Sequence, residues 1–121
     1  MNAIEMQQSA ERVARGAAYM DENYPGWERK INLSVLDITD GEVCICGQAV
    51  TSQLIPQGFT RVCNDFVSKF ADRGANMLWE HGFIEGKDGD AWVTLIKERF
   101  DTGLLSDAMD FTATREKVAS E

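Results

Sequence analysis

Histidine is the scarcest chemical resource in this chain: there is one, His81, among 121 residues. Its ordinary pKa makes histidine the usual general base near neutral pH. A cysteine nucleophile would have to rely on His81, and nothing in the sequence sets a nucleophile beside it. The residue before Gly82 at a predicted helix end has a plainer role, since imidazolium complements the negative end of the helix dipole. Phosphate loops are missing as well. There is no Gly-x-Gly-x-x-Gly and no Walker lysine, so a nucleotide cradle of either kind is not expected. No apolar run approaches the roughly 20 residues that span a bilayer. The N-terminus MNAIEMQQSAER has neither the cationic start nor the apolar block of a secretory signal. The expectation is a cytoplasmic protein that does not enter membranes.

Positive charge is short. Twelve Lys and Arg face 20 Asp and Glu, for a net charge of −8. The excess is spread through the chain rather than gathered in a tail. A duplex-binding surface needs clustered cations to replace counterions, so direct nucleic-acid binding is not expected. Cysteine is also sparse and odd in number, with three residues at no repeating interval. That excludes a disulfide framework as the expectation and favours reduced thiols.

Cys44, Cys46, Cys63 and His81 are the four soft ligands available, and a Cys₃His set is a known form of structural zinc site. The spacing argues against it. Cys-x-Cys is tighter than the usual knuckle of two to four intervening residues. On a helix the first two thiols would point about 200° apart. Free cysteine is among the most buried residue types, so core thiols and no metal or other cofactor are expected. A structural zinc or thiol-dependent protein using these four residues stands as the alternative.

What the chain does have is the material of one soluble helical domain. The 44% hydrophobic and 26% charged content is ordinary for a globular protein, and the length suffices for a sizeable core. Residues 1–111 read as a single domain, with a polar tail at 112–121 that could form a frayed helix. Asn2 and Glu5 have capping-box spacing. After them Met6, Ala10, Val13, Ala17, Met20 and Tyr24 recur at steps of four and three, predicting a helix to about Asn23 with that stripe buried and Arg12 and Arg15 solvated. Pro25-Gly26 stops it, and Trp27 is expected to fold back onto the helix.

Residues 19–50 organise the rest. A short helical turn followed by irregular chain is predicted after Trp27. Thr39 and Glu42 form a second capping-box pattern, which favours a buried helix over a strand for residues 43–50. Beyond Pro56-Gln57-Gly58, the residues Phe59, Val62, Phe66, Phe70 and Met77 predict a helix that ends or bends at Gly74. A further turn reaches His81, with Gly82 as its C′ residue and Phe83 as the following apolar contact. Trp92, Leu95, Ile96 and Arg99 have the spacing of a last helix that presents Trp92 inward, with Asp88 or Asp90 as its cap. Leu104, Leu105, Met109 and Phe111 could clip a final segment onto the body. The fold class is all-α, a small bundle of about five helices with short loops.

Several short runs resemble a known group. Gly16-Ala17-Ala18-x-Met20-Asp21-Glu22 is followed by Pro25-Gly26-Trp27, Ile31-Asn32-Leu33, Leu36-Asp37-Ile38 and Cys46-x-Gln48, then by His81-Gly82-Phe83 and Trp92. Over residues 10–100 this pattern resembles small uncharacterised proteins of actinobacteria and their phages. The resemblance implies a mobile or phage setting, in which small proteins often act by binding something of the host's. It carries no activity and no site residue.

Asp37, Asp40 and Glu42 lie close enough for acid–base work, but all three have ready roles as caps and turn residues. Of the tryptophans, Trp79 falls off the Phe66–Phe70–Met77 face and is the candidate for an exposed contact. With Glu80, Glu85, Asp88 and Asp90 it forms the expected partner-binding surface of a non-enzymatic accessory protein. The expected partner is another protein, host-encoded in a phage setting. A nucleic-acid mimic is a narrower version, drawing on the same acids with Asp101, Asp107 and Asp110, but Lys87, Lys97 and Arg99 interrupt those rows.

Overall fold

The structure is a computed structural model and describes residues 2–101. The fold is all-α, and no strand occurs among the described residues. In order come α1 (Ala3–Asn23), α2 (Ile45–Val50), α3 (Gly58–Phe70), α4 (Gly74–Glu80) and α5 (Gly89–Asp101). Three 3₁₀ turns, Trp27–Lys30, Ala71–Arg73 and Gly86–Asp88, join them. Four of the five helices have seven or more residues, and α2 is a short turn-and-a-half of six. The expected clip at 104–111 and the tail at 112–121 lie outside the described residues.

The start of α1 is as the sequence predicts. The Asn2 side chain accepts the Glu5 N–H at 2.8 Å, and the Glu5 carboxylate accepts the Asn2 N–H at 3.2 Å. Two amides with no intrahelical partner are satisfied reciprocally. The buried face is rotated from the predicted stripe. Val13, Ala17 and Met20 are buried as expected, but Ser9, Arg12 and Gly16 join them, while Met6 and Ala10 are exposed. The reason is a close approach: a Cβ on Gly16 would overlap the His81 carbonyl oxygen and the Trp92 ring. α4 and α5 therefore press on the side of α1 that carries residues 9, 12 and 16.

Gly26 takes φ of 83°, a left-handed conformation that glycine adopts at little cost. The chain reverses there and buries Trp27, whose indole N–H donates to Asp21 at 2.9 Å. Arg99 then spans to Asp21 at 2.8 Å and to Glu28.

The Thr39–Glu42 capping box does not form. Thr39 instead donates to Asp37 through N–H and hydroxyl at 3.0 and 2.7 Å, and the Glu42 N–H donates to Asp40 at 2.9 Å. These are side-chain-closed turns, which compete with helix initiation. Helix α2 does form, but from Ile45, and Cys44 is its N-cap, with Sγ accepting the Gly47 N–H at 3.3 Å.

The bend between α3 and α4 comes earlier than Gly74. It falls at Ala71, a non-glycine residue at φ of 52°. Gly74 begins α4 against the Val67 backbone, where an added Cβ would sit 3.2 Å from Val67 Cα. α4 ends as predicted: Gly82 is left-handed, its N–H donates to the Trp79 carbonyl at 3.0 Å, and the Phe83 N–H donates to Leu78 at 3.1 Å. That pair of bonds is the Schellman motif.

An aromatic line runs through the core. Trp27 meets Trp92 edge-on at 5.6 Å, Trp92 stacks on Phe83 at 5.7 Å, and Phe83 meets Phe66 edge-on at 5.9 Å. These rings come from the Trp27–Lys30 turn, α5, the loop after α4 and α3. One contact chain thus ties four parts of the sequence together, each pair adding about 0.5–1.5 kcal/mol beyond its buried area.

Candidate functional site

Helices α1 and α4 place Trp79 at the surface above a buried ion pair. The exposed positions of α4 are set by its own register: Leu78 goes inward with Gly74, and Trp79 turns away, 40% exposed. Its ring is not loose. The Arg12 guanidinium lies 4.5 Å from the ring centroid. Arg12 is fixed in turn by Asp88, which accepts from Nε at 3.0 Å and from Nη2 at 2.7 Å. Ser9 adds its hydroxyl to the same carboxylate at 2.5 Å. Asp88 is 0% exposed and the Arg12 side chain 7%. The bidentate bond to Asp88, helped by the charges of Asp88 and Glu85, raises the Arg12 pKa against the opposing effect of burial.

Asp88 is therefore not part of an acidic surface, contrary to the sequence expectation. In the sequence Asp88 lies between Gly86 and Gly89 and reads as a cap of the last helix or a surface acid. What buries it is Arg12, 76 positions earlier, on a helix face predicted to be solvated. Both carboxylate oxygens are used by Arg12 and Ser9 rather than for capping α5. Of the other expected residues, Glu85 lies near enough to Arg12 to act on its charge. Glu80 follows Trp79 directly, and its carbonyl accepts from Arg15 Nε at 2.9 Å. Asp90 is exposed but lines a separate cleft between α1 and α5 with Met6 and Ala10. Trp79, Glu80 and Glu85 are thus grouped around Arg12 and Arg15. Asp90 stands apart, and Asp88 is the post beneath.

Arg12, Ser9 and Arg15 are the residues that sequence reasoning missed. A signal was present, since residues 9, 12 and 16 share a helix face at i, i+3, i+7. Hydrophobic periodicity cannot see it, because that face is built of serine, arginine and glycine.

The soft ligands divide into two places. His81 caps α4, with Nδ1 2.7 Å from the Met77 carbonyl. A carbonyl only accepts, so Nδ1 carries hydrogen. The ring packs edge-on against Phe66 at 5.0 Å and parallel to Phe83 at 6.3 Å. This is the predicted helix-end position, embedded in aromatic rings. The cysteines gather at α2 and α3. A hydrogen bond from the Cys46 thiol, with the Gly47 N–H, draws the Cys44 pKa down to about 7 despite burial. Burial, and then Cys44 as its hydrogen-bond acceptor, pushes Cys46 well above the ordinary thiol range. Burial also raises Cys63. Cys44 and Cys46 are buried in the core cluster, as core thiols should be. Among the described residues, no group of three or more His, Cys, Asp or Glu is arranged to hold a metal ion.

No helix of the described residues is long and apolar enough to cross a membrane. Comparison with protein-family models, curated proteins and solved structures finds no match to this chain.

Proposed function

We propose that this chain is a small, acidic, non-enzymatic accessory protein that binds another protein, host-encoded in a phage setting, through the surface around Trp79. The observation that carries this reading is the braced tryptophan. Exposed tryptophan ordinarily loses rotamer freedom on binding, at a cost of about 0.5–1.5 kcal/mol for a side chain that must be immobilised. Here Arg12 holds the ring, and Asp88, which also accepts from Ser9, holds Arg12. The contact is ordered before any partner arrives. Tryptophan and arginine are the residue types most enriched at binding hot spots. Glu80 follows the ring in sequence and Glu85 acts on the charge of Arg12 beneath it, and this negative charge favours a partner whose contact surface is basic. The overall charge of −8 acts in the same direction at longer range.

The test is affinity capture from a bacterial host lysate using the full chain, Trp79→Ala and Leu54→Ala in parallel. Leu54 is the most exposed large apolar residue among the described residues, at 93%, and serves as the control. A protein retained by wild type and by Leu54→Ala, but lost with Trp79→Ala, is the expected result. Capture that survives Trp79→Ala unchanged would overturn the assignment.

A further inference from the structure

The cleft between α1 and α5 stands apart from the Trp79 surface. Its volume is about 500 Å³, within the roughly 300–1,000 Å³ of small-molecule sites. The floor is apolar. Met6, Ala10 and Val13 of α1 supply one side of it, and Ala91 and Leu95 of α5 the other. Met6 is 58% exposed there, although it begins the apolar stripe of α1.

The polar groups of the cleft form a row. Asp90, Thr94 and Glu98 recur at every fourth residue of α5, which sets them one above another along the helix. Both acids are exposed, and Thr94 between them is uncharged, so the negative charge sits at the two ends of the row. From Asp90 to Glu98 the distance along α5 is about 12 Å, at 1.5 Å per residue. Ser9 also lines the cleft, but its hydroxyl is donated to Asp88. None of the nine lining residues is Lys, Arg or His. Each carboxylate has about four lone-pair sites and can accept from several donors at once. The complement of an apolar channel with a negative charge at each end is an apolar chain with a cation at each end.

We propose that the α1–α5 cleft binds a linear aliphatic diamine, with one ammonium at Asp90, the other at Glu98, and the methylene chain on the floor of Met6, Ala10, Val13, Ala91 and Leu95. Size favours a small ligand over a macromolecule. A stable interface between proteins takes about 800 Å² and 20–30 residues from each partner, and nine residues line this cleft. Charge disfavours a second copy, which would bring another chain of net charge −8 against an acidic rim. An uncharged lipid or a fatty acid would fill the floor and leave both carboxylates unanswered or opposed. The proposal is independent of the Trp79 reading, and either can fail alone.

The experiment is NMR on the full chain with ¹³C-labelled Met methyl groups, titrated at low salt with 1,8-diaminooctane, whose extended length is comparable to the spacing of the two acids. Met6 in the cleft reports binding, and buried Met20 reports that the body stays folded. The expected result is a saturable shift of the Met6 methyl with Met20 unmoved. The dissociation constant should rise about tenfold in Asp90→Asn/Glu98→Gln, the size expected for losing two exposed ion pairs. It should rise at least as much for 1,4-diaminobutane, which is too short to reach both acids, and for the uncharged 1,8-octanediol. Glu80→Gln/Glu85→Gln should leave it unchanged. If Met20 moves in Asp90→Asn/Glu98→Gln, Ala10→Phe fills the cleft with both acids in place and should weaken binding instead. A Met6 methyl blind to the diamine would overturn the proposal, as would octanediol binding as tightly. Equal losses in the two double variants would show attraction to net charge alone and overturn it too. A Met6 shift that follows protein concentration without any amine would assign the cleft to a second copy, with the same consequence.

Discussion

Removing one partner of the Arg12–Asp88 pair should be among the most damaging single changes available to this protein. In Asp88→Leu the guanidinium stays at its buried site, with a 7%-exposed side chain, and loses both of its carboxylate hydrogen bonds. In Arg12→Met the carboxylate stays at 0% exposure with only the Ser9 hydroxyl to face it. Breaking a buried pair from one side costs about 3–5 kcal/mol, because the remaining charge has no water and no partner. Replacing both partners with apolar residues of similar length removes that penalty. The double variant still leaves the Ser9 hydroxyl without its acceptor, at about 1–3 kcal/mol, and loses the contact of the guanidinium with Trp79, at about 0.5–1 kcal/mol. The methionine retains the packing of the arginine stem. Each single change should therefore lower stability by about 3–5 kcal/mol, and the double by about 1.5–4 kcal/mol rather than the sum of the two. Urea unfolding followed by tryptophan fluorescence measures all four corners of the cycle, provided the slopes agree. Against a total of about 5–15 kcal/mol, each single removes a large fraction of the stability. Additive losses would show that the two side chains do not depend on one another. Asp88 would then not be what holds Arg12 beneath Trp79.

The other expectations concern separate parts of the molecule. Trp27→Ala should cost about 3–5 kcal/mol in the same urea assay, since the ring is fully buried against Trp92; an unchanged transition would refute its place in the core. Gly16→Ala should destabilise despite the helix propensity gained, about 1 kcal/mol, because its Cβ overlaps the His81 carbonyl; a gain in melting temperature would refute that close approach. Burial, then the 2.6 Å hydrogen bond to Asp65, raises the Tyr19 pKa well above its ordinary value of 10. A raised folded pKa means that this contribution is fully present below about pH 10 and is lost as pH rises toward the folded value. The alkaline fall in stability should therefore be shallower in Tyr19→Phe, and an identical pH profile would refute it. If the Trp79 surface binds as proposed, Trp79→Ala should raise the partner's off-rate with little salt dependence. Neutralising Glu80 and Glu85 together should lower the on-rate chiefly at low salt.

The sequence determined what is settled within a few residues. The Asn2–Glu5 capping box, the stop at Pro25-Gly26, the Gly82 terminus with Phe83 behind it, and the inward Trp92 were all legible. Each depends on local dihedral preference or on helical spacing of large apolar groups, and both are written into adjacent residues. The all-α class follows from the same signals. Competition between local alternatives was harder to read. Thr39 and Glu42 fit a helix cap, yet their amides donate to the Asp37 and Asp40 side chains, and a cysteine does the capping. Tertiary structure alone decided the candidate site. Arg12 and Asp88 are polar residues on segments that read as solvated, and each is buried only because the other is there. A charge is an adequate core residue when its partner arrives from 76 positions away, and hydrophobic patterning has no term for that. The same close packing at Gly16 rotated α1, turned Met6 out of the core and left the cleft beside α5 open.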